Sequence, residues 1–280
     1  MCLRPIKPDH DGVYSEEIRK LGRKEERLMP IVTMSHQAFD SAGELAQQIS
    51  NVLGYRLVSR DDIVEKTAQY GISKDRQGRA RGRRLGILRR MDPGWRRYRI
   101  YSQAALTKEI RKGCLVYLGE NGLARFRDFP NVFNIQVRTD IEHRIDNLMK
   151  RAEHSLNWNK AENLIKKADD REARWRNTFY TDGQMRSSEF DLVIKLGQIG
   201  INDACDLISS TMEQKEYQTT YKSLEVIDLL TVAAELRARI AMNDDVMDDD
   251  IDVAVHDGVI VVKGYVRSTE NLDSIRELID

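Results

Sequence analysis

A chain of 280 residues has room for one large or two modest domains. Its 45 basic and 45 acidic side chains cancel, so no whole-chain field recruits nucleic acid. Cys2, Cys114 and Cys205 fit no metal-ligand spacing and cannot all pair, which argues against a disulfide framework and for a reducing compartment. No apolar run approaches the roughly 18 residues a membrane helix needs.

Residues 1–29 are too charged for a signal peptide and read as a polar leader with a helix near Ser15–Leu28, so the expected location is cytoplasmic. A short apolar run, Ile31 to Met34, then reads as a buried strand. A helix follows at once, with Leu45, Ile49, Val52 and Leu53 at helical spacing. Strand, tight turn and helix form the scaffold on which glycine-rich loops cradle phosphates, because helix N-terminal amides point at the anion. Aligned from position 36, the pattern G-x-x-x-x-G-K-[ST] falls on His36, Ser41, Ala42 and Gly43, and every key residue differs. Ser41 and Glu44 instead spell an S-x-x-E capping box. Asp40 and Glu44 add negative charge where a phosphate would dock, which is repulsive at close range. The residues alone favour a self-capped turn.

Further strands are expected at Cys114–Gly119, Pro130–Val137 and Phe190–Lys195, with a helix over Ile201–Ile208. Between them lie Gly54-Tyr-Arg, then Ser59-Arg60-Asp61, an arginine-bearing helix at Arg144, and Asp170-Arg171-Glu-Ala-Arg174. In this order the pieces resemble the cytidylate kinase-like family, a branch of the P-loop nucleoside monophosphate kinases. The resemblance spans residues 30–212. It implies an α/β three-layer P-loop kinase-like domain with a parallel sheet, and ATP at the first turn. The nucleotide positions of the degenerate loop would be Ser35, His36, Asp40, Ser41 and Gly43. Arg144, Arg151, Arg171 and Arg174 match the family's lid arginines, whose guanidinium forks suit phosphate oxygens. Arg60, Asp61 and Glu120 fall on the acceptor side.

Two departures bear on activity. Where family members carry a run like Gly-Ser-Gly-Gly, this chain has Phe39-Asp40-Ser41-Ala42, and the usual Gly-Arg after a later strand is Gly119-Glu120. A bulky ring and an acid replace residues whose small size lets backbone approach phosphate.

The C-terminal segment reads as a second unit, after a linker at 213–225. Leu229, Leu230, Ala233, Leu236 and Ile240 share a helical face, and Asp257-Gly258 between two apolar strands is a strong hairpin signal. Leu272, Ile275 and Leu278 return to helical spacing. Helix, hairpin and helix over 226–280 resemble a BON domain, a small α+β module, with Gly258 and Gly264 matching its hairpin glycines. The module's final strand is absent from this sequence, which would leave a sheet edge for a protein partner or self-association.

Residues 76–99 hold Arg76, Arg79, Arg81, Arg83, Arg84, Arg89, Arg90, Arg96, Arg97 and Arg99, whereas 243–252 is acidic. Such a run is more often a solvated face than a nucleic-acid site, so nucleic acid is disfavoured as a partner. Cys114 and Cys205 sit in apolar runs and are expected in the core. His10, His36, His143, His154 and His256 form no triad, no metal site is expected, and Trp158 and Trp175 are expected to pack lid helices.

Three functions compete. The leading expectation is a degenerate cytidylate kinase-like protein, a nucleotide- or phosphate-sensing pseudokinase with a BON interaction module and no cofactor assigned. The second is an active CMP-type kinase using ATP and Mg²⁺. The third is a membrane-surface or polyanion-binding adaptor.

Overall fold

The computed structural model describes residues 31–71, 93–119, 129–152, 155–179, 189–243, 246 and 250–279. The polar leader, Arg76 to Arg90, Glu120, His10 and His154 lie outside the described residues. The chain divides into two compact units. One comprises Met29–Arg60 and Gly113–Gln218; the other draws on Asp61–Lys112 and Thr219–Asp280.

The first unit is built on β1 (Ile31–Ser35), buried at all five positions, as expected of a central parallel strand covered on both faces. Its sheet also contains β2 (Arg56–Ser59), β3 (Leu115–Leu118), β4 (Val132–Thr139) and β5 (Leu192–Leu196). The order is β2-β3-β1-β4-β5, and each pairing is parallel. The chain moves first to one side of β1 and then to the other. The carboxyl end of β1 therefore lies at a topological switch point, where open α/β sheets hold ligands.

Helices α1 (Ala42–Leu53) and α6 (Ile201–Met212) close one hydrophobic cluster over the sheet. Leu45, Ile49, Val32, Phe133, Ile194 and Ile208 are among its buried members. Val52, expected on the same face, is 60% exposed. It lies in the last turn of α1, just before Gly54 ends the helix in the left-handed conformation (φ 69°). Cys205 is fully buried as expected, whereas Cys114 is only half-buried. A second cluster joins α4 (Ile141–Arg151) and α5 (Trp158–Phe179) through Ile145, Leu148, Ala161 and Ile165. Trp158 is 43% exposed, so it covers little of that packing; the side chain of Trp175 lies outside the described residues.

The second unit contains α2 from Asp61 onward (the helix as a whole runs Arg60–Lys66), α3 (Pro93–Arg111), α7 (Tyr221–Met242), an antiparallel hairpin and α8 (Thr269–Ile279). Thr220 and Ser223 cap α7 reciprocally, each side chain taking the other's backbone N–H. The hairpin pairs β6 (Asp250–His256) with β7 (Val259–Tyr265). Asp257 (φ 50°) and Gly258 (φ 73°) both take positive φ, the requirement of a type I′ turn. Gly264 (φ 158°) pairs with Ile251, and a Cβ there would sit 2.1 Å from the Asp250 carbonyl oxygen. No helix of the described residues is long and apolar enough to cross a membrane.

Candidate phosphate turn

Between β1 and α1, residues 36–41 form the turn that sequence singles out. Its organising group is Asp40, which is 4% exposed. Asp40 Oδ2 accepts the Gln37 N–H (2.8 Å) and Oδ1 accepts the Ala42 N–H (3.1 Å). Backbone amides that would face a phosphate thus face a carboxylate belonging to the turn itself. His36 Nδ1 lies 3.0 Å from the Gln37 carbonyl oxygen and 3.3 Å from Asp40 Oδ1, a geometry suited to a ring protonated on Nδ1.

The expected capping box does not form. Ser41 is the N-cap residue, but its side chain makes no capping hydrogen bond. Its backbone (φ −101°, ψ 16°) is not in the extended conformation that aims an N-cap hydroxyl at the helix amides. Ser41 Oγ instead accepts from Asn147 Nδ2 (3.1 Å), and Glu44 is exposed. The capping work passes to the neighbouring acid, Asp40.

Phe39 takes φ 64°, which is uncommon for a bulky residue and costs about 1–2 kcal/mol. Its ring packs against the α4–α5 cluster, which offsets that strain. A glycine at this position would turn freely and anchor nothing.

One face of α4 seals the turn. Arg144, Asn147 and Arg151 recur at helical spacing, and each donates to it. Arg144 Nε donates to the Ala38 carbonyl (2.8 Å) and Arg151 Nη2 to the Asp40 carbonyl (3.1 Å). Arg144 is 2% exposed, and its two remaining nitrogens fork onto Asp169 of α5 at 2.6 and 3.0 Å. All three guanidinium nitrogens are therefore engaged inside the protein. Gln37 Oε1 accepts the Thr139 N–H (3.0 Å), tying the turn to the end of β4.

Of the residues expected to line the site, Ser35, His36, Asp40, Ser41, Gly43, Arg144 and Arg151 are at or against this turn. Arg171 lies exposed on α5 with no partner among the described residues. Arg174 is on the same helix, and its side chain lies outside the described residues, as does Glu120. Arg60 and Asp61 open α2 and are already engaged in interactions. Sequence reasoning missed Gln37, Phe39 as an anchor, Asn147 and Asp169. The spacing of Arg144, Asn147 and Arg151 was a usable signal; the Arg144–Asp169 pair, 25 positions apart, was not.

This geometry can be tested against ATP and Mg²⁺, which the family resemblance implies. Gln37 and Ala42 have spent their amides on Asp40, and α4 donates to turn carbonyls rather than into an open cradle. As folded, the turn does not fit a magnesium-bound polyphosphate.

The model of the cytidylate kinase-like family matches residues 31–198. The chain belongs to that family. The BON domain model matches residues 228–280, covering most of α7, the hairpin and α8. The family match draws on both compact units, since it includes Asp61–Lys112. Among solved structures, an uncharacterized protein from Eubacterium ventriosum is similar at 16% identity and TM-score 0.51, with 66% of this chain and 98% of that chain covered. A shikimate kinase from Bacteroides thetaiotaomicron (10% identity, TM-score 0.42, 66% and 99% covered) and a gluconokinase from Sinorhizobium meliloti (10%, 0.39, 74% and 96%) are also similar. No curated protein matches the chain.

Proposed function

We propose that this kinase-like protein does not transfer phosphate, and that it works as a binding protein whose BON segment engages a partner. The observation carrying the reading is the Asp40 carboxylate, buried in the first turn and accepting the Gln37 and Ala42 amides. Phosphoryl transfer is almost wholly positioning and charge neutralisation, so a turn filled by an internal anion loses the means of catalysis. Burying an unpaired polyphosphate against that carboxylate would be strongly opposed.

A phosphate-bearing ligand remains compatible with the reading at the outer lid, through Arg151, Arg171 and Arg174. Arg144 takes no part, because opening it would strand Asp169 and the Ala38 carbonyl. The ligand would then act as a signal rather than a substrate.

The test is an assay for ADP and CDP from magnesium-ATP and CMP, with protein freed of contaminating kinase. The expected outcome is no turnover in the ordinary range of about 1–1000 s⁻¹. Turnover within that range would overturn the reading in favour of an active CMP-type kinase. A nucleotide panel read by thermal shift locates any residual site, since a ligand at 100 times its Kd stabilises by about 2.7 kcal/mol. Arg171→Ala with Arg174→Ala should abolish any such shift. If Asp40→Ala abolished it while the double arginine variant kept it, the ligand would be sitting in the turn.

A further inference from the structure

The helix that opens the BON segment is buried on two sides. One side of α7 contributes Ala233, Leu236 and Ile240 to a core shared with Ile251, Ile260, Val262 and Ile275 of the hairpin and α8. The other contributes Ala234, Ala238 and Ala241 to a seam with Tyr101 and Ala104 of α3. Alanines let the two helices approach closely, and such close-packed seams resist displacement.

The contact at the end of this seam is of a different kind. The last four carbonyls of a helix have no intrahelical partner. In α7, the Asn243 N–H serves Arg239 and Ile240, and the Ala241 carbonyl accepts from the Tyr101 hydroxyl at 2.8 Å. Tyr101 is 3% exposed, so this is a buried cap supplied by another helix. One and a half turns earlier on α3, Arg96 pairs with Asp250, the first residue of β6, at 2.6 Å. The Asp250 side chain is 81% exposed, so this ion pair adds orientation more than energy. Further along α3, Lys108 meets Glu235 (3.2 Å) and Arg111 meets Asp228 (2.5 Å). The tyrosine is itself held by stacking on Tyr70, with ring centroids 5.1 Å apart and planes 11° apart.

We propose that α3 clasps the point where α7 passes into the hairpin, so that displacing α3 loosens β6–β7 and changes how the BON segment is presented. Tyr101 and Arg96 hold the two sides of the α7–β6 connection, and the alanine seam transmits movement along α7. The clasp would let the segment Asp61–Lys112, part of the kinase-like match, govern an interaction module that follows it in sequence. It rests on the reading above only for what the hairpin engages; the clasp itself is measured without a partner.

Hydrogen exchange on the full chain tests it, comparing wild type with Tyr101→Phe and with Ala238→Leu. Tyr101→Phe removes the buried donor and keeps the ring. The expected result is roughly five-fold faster exchange across the end of α7 and the β6–β7 amides, the size set by losing one buried hydrogen bond. The β1 and β4 amides should be unchanged. Ala238→Leu wedges the seam and should speed exchange in α3 and in the hairpin together. The proposal is overturned if Tyr101→Phe affects only the final turn of α7, or if either variant speeds exchange uniformly through both units. A failure here leaves the phosphotransfer result untouched, so the two readings fall separately.

Discussion

Asp40→Asn keeps the shape of the side chain while removing the charge that holds two loop amides. The new amide NH₂ must face one N–H where a carboxylate oxygen faced it before. Leaving a buried donor unsatisfied costs about 1–3 kcal/mol, and urea unfolding should show a loss of that size. A change below about 0.5 kcal/mol would mean the carboxylate is not the centre of the turn. Tyr55 offers the opposite case. The residue is 6% exposed, its hydroxyl is buried with no hydrogen-bond partner among the described residues, and burial, with Cys114 adding to it, pushes its pKa far above the ordinary value of 10.0. Tyr55→Phe should be neutral or stabilising by up to about 1 kcal/mol in the same measurement. The raised pKa also fixes a sign. Above pH 10 the unfolded chain releases a proton that the folded chain keeps, so stability is intact below that pH and falls as pH rises through it. Thermal melts of Tyr55→Phe should show a smaller alkaline loss than wild type.

At the scale of elements, the hinge between turn and lid helices is Arg144. Arg144→Ala leaves Asp169 and the Ala38 carbonyl without their donor. Breaking a buried pair costs about 3–5 kcal/mol, but Asp169 is 39% exposed and can turn to water, so about 2–3 kcal/mol is expected. Arg144→Lys should recover little of it, because an ammonium cannot fork onto a carboxylate and reach the Ala38 carbonyl as well. Full recovery by lysine would contradict the bidentate account. In the hairpin, Gly264→Ala drives a methyl into the Asp250 carbonyl at a φ that side chains rarely adopt, and a loss above about 1 kcal/mol is expected. The elements differed in how plainly the sequence announced them. Asp257-Gly258 named its own turn and the apolar run at Ile31 named a buried strand, because both signals are local in sequence. The second face of α7 was invisible. It is made of Ala234, Ala238 and Ala241, whose small side chains give no hydropathy stripe, and its partner α3 lies over a hundred positions earlier.

Across the whole molecule, the parallel sheet was an implication of the family resemblance, whereas the helix–hairpin–helix over 226–280 was read from apolar periodicity and the Asp257-Gly258 turn. The candidate site was legible in its identity but not in its wiring. Sequence placed Asp40 where a phosphate would dock, yet assigned the cap to Ser41, because S-x-x-E spacing is local while the choice between two adjacent oxygens depends on Asn147 reaching in from α4. It likewise offered Arg144 to a ligand, since a guanidinium's partner 25 residues away cannot be read from spacing. The central claim is that the first turn holds its own anion. Titrating magnesium-ATP while following the backbone amide resonances of Gln37 and Ala42 tests it most directly. The account predicts that both resonances stay in place up to millimolar nucleotide, and saturable movement of both at micromolar nucleotide would contradict it.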